Sequence, residues 1–314
     1  MESYFRLFPE QASTIAGRVD GLYAFLIGVT VFFAGLIFLL LLSFLLKYRR
    51  RPGHVRLPHR ESNNWLEVTW ILIPLALTMV IFVWGARLYA TVMLDPPAGA
   101  LEVYAIGKQW MWQFQHPDGQ REIDELHVPV GHPVQMTMTS QDVIHSFFVP
   151  AFRIKMDVVP GRYTTIWFEA SKPGVYHLFC AEYCGTAHSG MGGRVVALPP
   201  TQYQEWLSSN RVVESMAAAG ARLFQQMGCG SCHDAGGLAP PMAGVFGSSV
   251  TLASGNTVLA DEGYIRESIL DPRAKIVAGF APIMPTFQGQ FSEEELSQLV
   301  AYIKSLGKQS ADGS

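Results

Sequence analysis

Residues 180–191 read C-A-E-Y-C-G-T-A-H-S-G-M, a short loop that carries two thiols, an imidazole and a thioether. Soft sulfur ligands combined with imidazole suit copper in an electron-transfer role. The Cys-x3-Cys spacing alone also fits a zinc site or a disulfide. The prediction of a copper site therefore depends on the complete string.

A second cysteine pair lies in the C-terminal part of the chain, as Cys229-Gly-Ser-Cys232-His233. C-x-x-C-H is the attachment motif for c-type haem, in which both thiols bond to the macrocycle and the histidine binds iron. A thioredoxin-like redox pair is the alternative, but no βαβ pattern surrounds the motif and the histidine would be unexplained. All four cysteines fall in these two pairs, which indicates two cofactor sites.

The sixth iron ligand is predicted to be a methionine from the far side of the haem. Met284, in A-P-I-M-P-T-F, occupies the position that small cytochromes c use. Met242, in P-P-M-A-G, is the competing candidate, because it follows the attachment motif. Met227 lies too close to that motif to reach across the ring.

The copper loop and its surroundings resemble subunit II of the haem-copper oxidases, and the fused haem motif makes the resemblance closest to the caa type. The resemblance covers most of residues 1–200. It includes W-I-L-I-P (70–74), G-K-Q-W-M-W (107–112), D-V-I-H-S-F-F-V-P-A-F (142–152) and K-M-D-V-V-P-G-R (155–162). In that family two cysteines bridge the coppers of a binuclear copper A centre. The ligands it implies here are His145, Cys180, the backbone carbonyl of Glu182, Cys184, His188 and Met191.

The same resemblance implies three further roles. The carboxylate of Glu182 faces a magnesium ion shared with subunit I, Trp110 receives electrons from cytochrome c, and Glu67 lies at the mouth of a proton channel. Structural alternatives remain open for two of them. Trp110 and Trp112 alternate, so that one could simply belong to the core, and a glutamate at a membrane boundary is usually solvated.

Two apolar segments predict a two-helix transmembrane hairpin. Leu22 to Leu46 is 25 residues without a formal charge, which is long enough to span a bilayer. It is too long for a signal peptide, and no A-x-A cleavage site follows. Val68 to Ala86 is also uncharged, and Trp70 and Trp84 are rings expected near a membrane interface.

The charges around the hairpin predict its orientation. Six basic residues lie in the loop between the helices, against two in the first 21 residues. By the positive-inside rule the loop is cytoplasmic, so the N-terminus and the redox domains face the outer, periplasmic side of a bacterial plasma membrane. The basic residues of the loop are Lys47, Arg49, Arg50, Arg51, Arg56 and Arg60.

The rest of the chain divides into a β part and an α part. From Leu101 to Leu198, short runs rich in Val, Thr and aromatic residues alternate with Pro/Gly turns, as in Pro133 to Thr139 and Tyr163 to Phe168. This pattern predicts a β-sandwich. Met216 to Met227 and Glu293 to Leu306 show helical spacing of apolar residues, which predicts a small helical domain. Ser292 and Glu295 form a predicted capping box.

The predicted fold class is therefore a multidomain membrane protein with a two-helix transmembrane hairpin, a cupredoxin-like β-sandwich and an all-α cytochrome c domain. The domains, in chain order, are an outer segment 1–21, transmembrane helix 22–46, cytoplasmic loop 47–64, transmembrane helix 65–90, copper domain 97–200, linker 201–215 and cytochrome c domain 216–309.

The charge balance excludes nucleic-acid binding. Residues 97–200 hold 7 basic and 9 acidic side chains, and residues 201–314 hold 7 and 11. Neither domain has the basic excess that nucleic acid requires. Because both are mildly acidic, net charge does not draw them together, and the short linker is predicted to keep the haem domain near the copper.

The resemblance implies that electrons enter at the haem, pass to copper A, and leave for subunit I, where oxygen is reduced and protons are pumped. It implies subunits I and III, the membrane and an external electron donor as partners, and no catalytic residue in this chain. A copper-containing nitric-oxide reductase subunit and a free-standing membrane-tethered carrier remain alternatives. Nitrous-oxide reductase has the copper loop but also needs a histidine-rich catalytic domain, and it is rejected because the chain has only nine histidines. A quinol oxidase subunit is rejected because that branch has lost the two copper cysteines, which are both present here.

Overall fold

The computed structural model describes residues 8–50, 63–93, 96–209, 214–234 and 238–308. The chain forms two compact units, one of residues 15–94 and one of residues 1–14 and 95–314. Arg51, Arg56 and Arg60 of the basic loop, part of the predicted linker and the C-terminal tail lie outside the described residues.

Two long helices make up the first unit, α1 (Ala16–Lys47) and α2 (Asn64–Met93). Both extend beyond the predicted spans, because the polar residues that flank each apolar run continue the helix. The most apolar stretch of each helix has no buried residue, as expected for side chains that face lipid. Among the described residues, two helices are thus long and apolar enough to cross a membrane.

Ten strands between residues 101 and 198 build the predicted sandwich. The strands are β1 (Leu101–Lys108), β2 (Met111–Gln115), β3 (Arg121–Ile123), β4 (Glu125–Pro129), β5 (Pro133–Ser140), β6 (His145–Val149), β7 (Ile154–Val158), β8 (Thr164–Glu169), β9 (Gly174–Cys180) and β10 (Gly192–Leu198). They form two five-stranded sheets, ordered β3-β2-β1-β5-β8 and β4-β10-β9-β6-β7. Large apolar side chains such as Trp112, Phe114 and Phe147 fill the space between the sheets.

Residues that were predicted to be linker form a helix, α3 (Pro200–Ser209). Pro200 does not end the regular secondary structure at this point, because a proline is compatible with the first turn of a helix. Tyr203 is only 3% exposed, and the Trp206 ring stacks on His127 of β4 at 4.7 Å. Helix α3 is therefore part of the sandwich domain, and the connection between the two redox domains is shorter than predicted.

The C-terminal domain is mainly helical, as predicted, with one small hairpin in addition. Its elements are α4 (Met216–Gln226), α5 (Gly230–His233), β11 (Ser249–Thr251), β12 (Thr257–Leu259), α6 (Glu262–Leu270) and α7 (Glu293–Lys308). Helices α4 and α7 cross closely at Gly220, where a Cβ would lie 2.0 Å from the Gln298 carbonyl oxygen. The capping box is confirmed, because Glu295 N donates to Ser292 Oγ at 3.2 Å and Ser292 N donates to Glu295 Oε2 at 2.9 Å.

The C-terminal domain lies against the outer face of the β3-β2-β1-β5-β8 sheet, where α7 contacts β1. Lys304 of α7 donates to Glu102 of β1 at 2.5 Å and to Glu262 of α6 at 2.7 Å. Tyr104 of β1 is only 3% exposed. Burial raises the pKa of the Tyr104 hydroxyl, and the nearby negative charges of Glu102 and Glu262 raise it further.

Two further contacts join the domains. The Arg266 guanidinium makes a bidentate pair with Glu293 at 2.6 and 2.7 Å and donates to the Gly161 carbonyl at 3.3 Å. Arg121 of β3 pairs with Glu294 of α7. The two domains are therefore joined by specific charge pairs, although both carry a net negative charge.

Candidate metal and haem sites

The copper loop brings its predicted ligands together at one end of the sandwich. His145 begins β6 and Cys180 ends β9, and these neighbouring strands pair Phe147 with Cys180. The Cys180 Sγ lies 3.9 Å from His145 Nδ1 and 3.8 Å from Cys184 Sγ. Sheet pairing thus joins a histidine and a cysteine that are 35 residues apart in sequence.

The remaining predicted ligands lie on the loop between β9 and β10. Cys184 Sγ is 3.5 Å from His188 Nδ1 and 3.6 Å from Met191 Sδ. The Glu182 carbonyl oxygen is 3.2 Å from Cys180 Sγ, while the Glu182 side chain is exposed. The two sulfurs are too far apart for a disulfide, whose S–S bond is about 2.05 Å.

The two thiols lie close enough together to shift each other's pKa. At Cys180, burial opposes ionisation, but hydrogen bonds with His145 and with backbone groups outweigh it and lower the pKa to about 6. At Cys184, burial and the negative charge of Cys180 raise the pKa. Two thiolates this close repel each other unless a metal ion neutralises them. Soft sulfur donors with imidazole in a buried pocket suit copper.

Asp142, which the sequence analysis missed, orients His145. Its Oδ1 accepts from His145 Nε2 at 2.8 Å, and its Oδ2 accepts from the Gln109 backbone N–H at 2.8 Å. This arrangement leaves His145 Nδ1 directed at Cys180 Sγ, as outer-shell carboxylates do for metal-bound imidazoles. The Asp-x-x-His spacing in D-V-I-H could have indicated it.

Gly107 of β1 makes room for the same histidine. A Cβ at this position would lie 2.8 Å from His145 Cδ2, which is closer than two carbon atoms approach in a folded protein. The glycine of G-K-Q-W-M-W therefore permits β1 to pass directly beside the ligand.

The two tryptophans of G-K-Q-W-M-W have different environments. Trp112 is fully buried and packs edge-on against the His145 ring at 6.0 Å, so the core alternative applies to it. Trp110 lies in the turn between β1 and β2, is 38% exposed, and donates through Nε1 to the Cys184 carbonyl at 3.2 Å. Trp110 thus joins the surface to the backbone of the copper loop.

The haem motif lines a cavity of about 700 Å³ in the C-terminal domain. Cys229, Cys232 and His233 form one part of its wall, and most of the other lining residues are apolar. His233 Nδ1 donates to the Pro240 carbonyl at 2.7 Å, which leaves Nε2 free to bind iron. The cavity and the donor set fit a covalently bound haem.

Three methionines line this cavity, Met227, Met242 and Met284. Met242 and Met284 are both half-buried and pack against the domain core. The structure therefore keeps both as candidates for the sixth iron ligand.

Glu67 lies in the first turn of α2 and is half-buried. A carboxylate at this position interacts favourably with the N-terminal end of the helix dipole. This environment is compatible with the solvated boundary residue that was the structural alternative.

Comparisons with known proteins identify both redox domains. Residues 119–198 match the family "Cytochrome C oxidase subunit II, periplasmic domain". Residues 215–303 match the family "Cytochrome C oxidase, cbb3-type, subunit III". The first match covers most of the sandwich, and the second covers the haem motif and all three cavity methionines.

Full-length relatives match over two thirds of the chain or more. Cytochrome c oxidase subunit 2 of Alkalihalophilus pseudofirmus is 34% identical over 86% of this chain and 82% of its own. Cytochrome c oxidase subunit 2 of Synechocystis is 30% identical over 67% of this chain and 78% of its own. A crystal structure of the periplasmic domain of subunit II of cytochrome oxidase from Bradyrhizobium japonicum is 29% identical, with 38% of this chain and 96% of that chain covered and a TM-score of 0.35. From the identity and coverage of the two full-length relatives, the chain belongs to the family of cytochrome c oxidase subunit 2, a membrane-anchored part of an oxidoreductase complex, and carries a cytochrome c domain fused behind the family's periplasmic domain.

Proposed function

We propose that the chain accepts electrons at a covalent haem c, passes them to a binuclear copper A centre, and delivers them to subunit I, where oxygen is reduced to water with proton pumping. The observation that carries this proposal is the convergence of two thiols, two imidazoles and a thioether, in which each donor atom lies no more than 3.9 Å from a neighbouring one. A second support is the haem cavity in the same compact unit.

At the copper site, the chain supplies a buried and pre-organised donor set. Cys180 and Cys184 would hold the two copper ions through their thiolates, and Asp142 fixes the tautomer of one imidazole that would bind them. Ligands held by strand pairing and by packing change little with oxidation state, which favours electron transfer. The complete proposed set is His145, Cys180, the carbonyl of Glu182, Cys184, His188 and Met191.

In the haem domain, Cys229 and Cys232 would hold the haem covalently, and His233 and Met284 would bind its iron. Methionine with histidine raises the iron potential relative to two nitrogen ligands. The hydrogen bond from His233 to Pro240 keeps the imidazole in the required tautomer.

Other roles complete the proposal. Trp110 is an electron-entry residue, since it joins the surface to the Cys184 carbonyl. The exposed Glu182 carboxylate faces a magnesium ion shared with subunit I, and Glu67 lies at the mouth of a proton channel. The partners are subunits I and III and an external electron donor. The redox domains lie on the outer side of a bacterial plasma membrane.

Rapid mixing of the complete oxidase with a reduced soluble c-type cytochrome tests the order of electron transfer. We expect the haem c absorbance to change first, and the copper absorbance to follow as the haem is reoxidised. In a variant with Cys229→Ala and Cys232→Ala, copper reduction by the same donor should become much slower. Unchanged copper reduction in that variant would show that electrons bypass the haem domain.

The axial methionine gives a second prediction. Met284→Ala should remove the sulfur-to-iron charge-transfer band and lower the midpoint potential by on the order of 0.1 V, within the range of about 0.8 V that axial ligands span. Met242→Ala is the matched control, because it removes a methionine from the same cavity. Optical redox titration measures both variants, and the reverse outcome would assign the ligand to Met242.

A further inference from the structure

A second cluster of metal-ligating side chains lies outside the copper loop. Glu122 belongs to β3, and Glu125 and His127 belong to β4, and one ligand atom from each lies within 4.8 Å of the others. The three residues line a solvent-accessible cavity together with Gln120 and Trp206. The proposed electron-transfer function uses none of them.

Glu122 holds the His127 ring in one orientation. Its Oε2 lies 2.5 Å from His127 Nδ1, and its Oε1 lies 2.8 Å from Nε2 of the buried His116. A carboxylate that accepts from Nδ1–H leaves Nε2 with a free lone pair, as in carboxylate–histidine–zinc arrangements.

The free nitrogen faces a second carboxylate at a separation typical of metal ligands. His127 Nε2 lies 3.6 Å from Glu125 Oε1, which is too long for a hydrogen bond. Two ligand atoms on a tetrahedral zinc ion lie roughly 3.3 Å apart, since each bond is about 2.0–2.1 Å long. Arg194 Nε pairs with the other oxygen of Glu125, so Oε1 remains available.

Gln120 provides an independent sign that something is bound here. Its side chain is 4% exposed, and its Oε1 has no hydrogen-bond partner among the residues that the structure describes. It lines the same cavity. Buried carbonyl oxygens are seldom left without a partner, so this oxygen has room in its coordination for a water or an ion at the cavity.

We propose that this cluster is a second metal site that binds one Zn²⁺ through His127 Nε2 and Glu125 Oε1. Glu122 is the outer-shell partner, and Gln120 and water complete the coordination. Imidazole with carboxylate and without thiolate favours zinc over copper(I), and the imidazole favours it over calcium or magnesium. Because Trp206 of α3 stacks on the His127 ring at 4.7 Å and 15°, the ion is structural and fixes the surface on which α3 packs.

Equilibrium dialysis of the complete oxidase, loaded with copper and haem, against Zn²⁺ tests the site, with metal analysis as the readout. We expect His127→Gln and Glu125→Gln each to bind one zinc fewer per chain than the wild type. His132→Gln is the matched control, because His132 is an exposed histidine on the same sandwich, and it should retain the wild-type number.

Glu122→Gln should keep the zinc but weaken its affinity by about 10–100-fold, the usual effect of losing an outer-shell partner. Glu125 has a side chain that is 32% exposed, so its substitution decides the question if His127→Gln does not fold. Wild-type zinc number and affinity in Glu125→Gln would overturn the proposal.

Discussion

Cys180→Ser is expected to abolish the multiline EPR signal of the mixed-valence copper pair while leaving the optical spectrum of haem c unchanged. Cys180 Sγ lies within 3.9 Å of Cys184 Sγ, His145 Nδ1 and the Glu182 carbonyl oxygen, so it lies close to three other proposed ligand atoms. A hydroxyl is a harder donor than a thiolate and cannot bridge two coppers in the same way. The haem cavity contains no copper-loop residue.

The loss of copper affinity in Cys180→Ser should be larger than the roughly 10–100-fold fall in metal affinity that follows removal of an outer-shell partner. Oxygen uptake by the complete oxidase should fall with the EPR signal. Ser189→Ala is a matched control, because Ser189 is an exposed residue of the same loop. A normal multiline signal in Cys180→Ser would show that this sulfur does not bridge the pair.

The candidate copper loop could be located from the sequence because its proposed ligands are concentrated in one string. Cys180, Cys184, His188 and Met191 lie within twelve residues, and their chemistry is apparent without a structure. His145 could be added only through the resemblance, since the pairing of β6 with β9 is a long-range contact that local spacing does not specify. Asp142 was missed because the Asp-x-x-His spacing, although visible in the sequence, does not show which ring nitrogen of His145 the carboxylate contacts.

The contact between the two redox domains was not predictable from net charge. Both domains are acidic in total, but Lys304 lies between Glu102 and Glu262. Because side chains alternate along a strand, Tyr104 lies on the outer face of β1, and its polar hydroxyl would suggest that this face contacts solvent. Tyr104 is nevertheless only 3% exposed. Local pattern predicts which residues share a sheet face, but it cannot tell whether another domain covers that face.

The linker assignment failed for a related reason. Pro199 and Pro200 predict the end of the sandwich, and β10 does end at Leu198. The following helix has little apolar character of its own, and it is stabilised by Tyr203 and Trp206 against the sandwich. Its packing onto His116 and His127 is again a long-range contact.

Two truncations of the chain should therefore behave differently, although their ends are eight residues apart. A chain that ends at Ser209 keeps α3 and should give a folded, copper-loaded oxidase that turns over with the small artificial donor tetramethylphenylenediamine. Its turnover with a soluble c-type cytochrome should fall by roughly 10²-fold, because a tethered donor at high effective concentration has been lost. Oxygen uptake with each donor measures the difference.

A chain that ends at Thr201 lacks Tyr203 and Trp206 as well. Tyr203 is 3% exposed, and its hydroxyl lies 3.4 Å from Nδ1 of the buried His116. Removal of a large buried aromatic side chain costs about 3–5 kcal/mol, so the sandwich should lose its copper absorbance at a clearly lower temperature than the Ser209 truncation. Equal thermal stability of the two truncations would show that α3 does not support the sandwich.

Ionic strength distinguishes whether the exposed or the less exposed charge pair holds the haem domain against the sandwich in the intact protein. The Arg121–Glu294 pair is exposed and should be screened by salt, whereas the Lys304 side chain is only 11% exposed and is screened much less. Internal haem-to-copper transfer should therefore slow only modestly as salt is raised, because the less exposed charge pair persists. A steep fall with salt would show that the exposed pair dominates, and full activity of the Ser209 truncation with the soluble cytochrome would show that the haem domain is dispensable for electron entry.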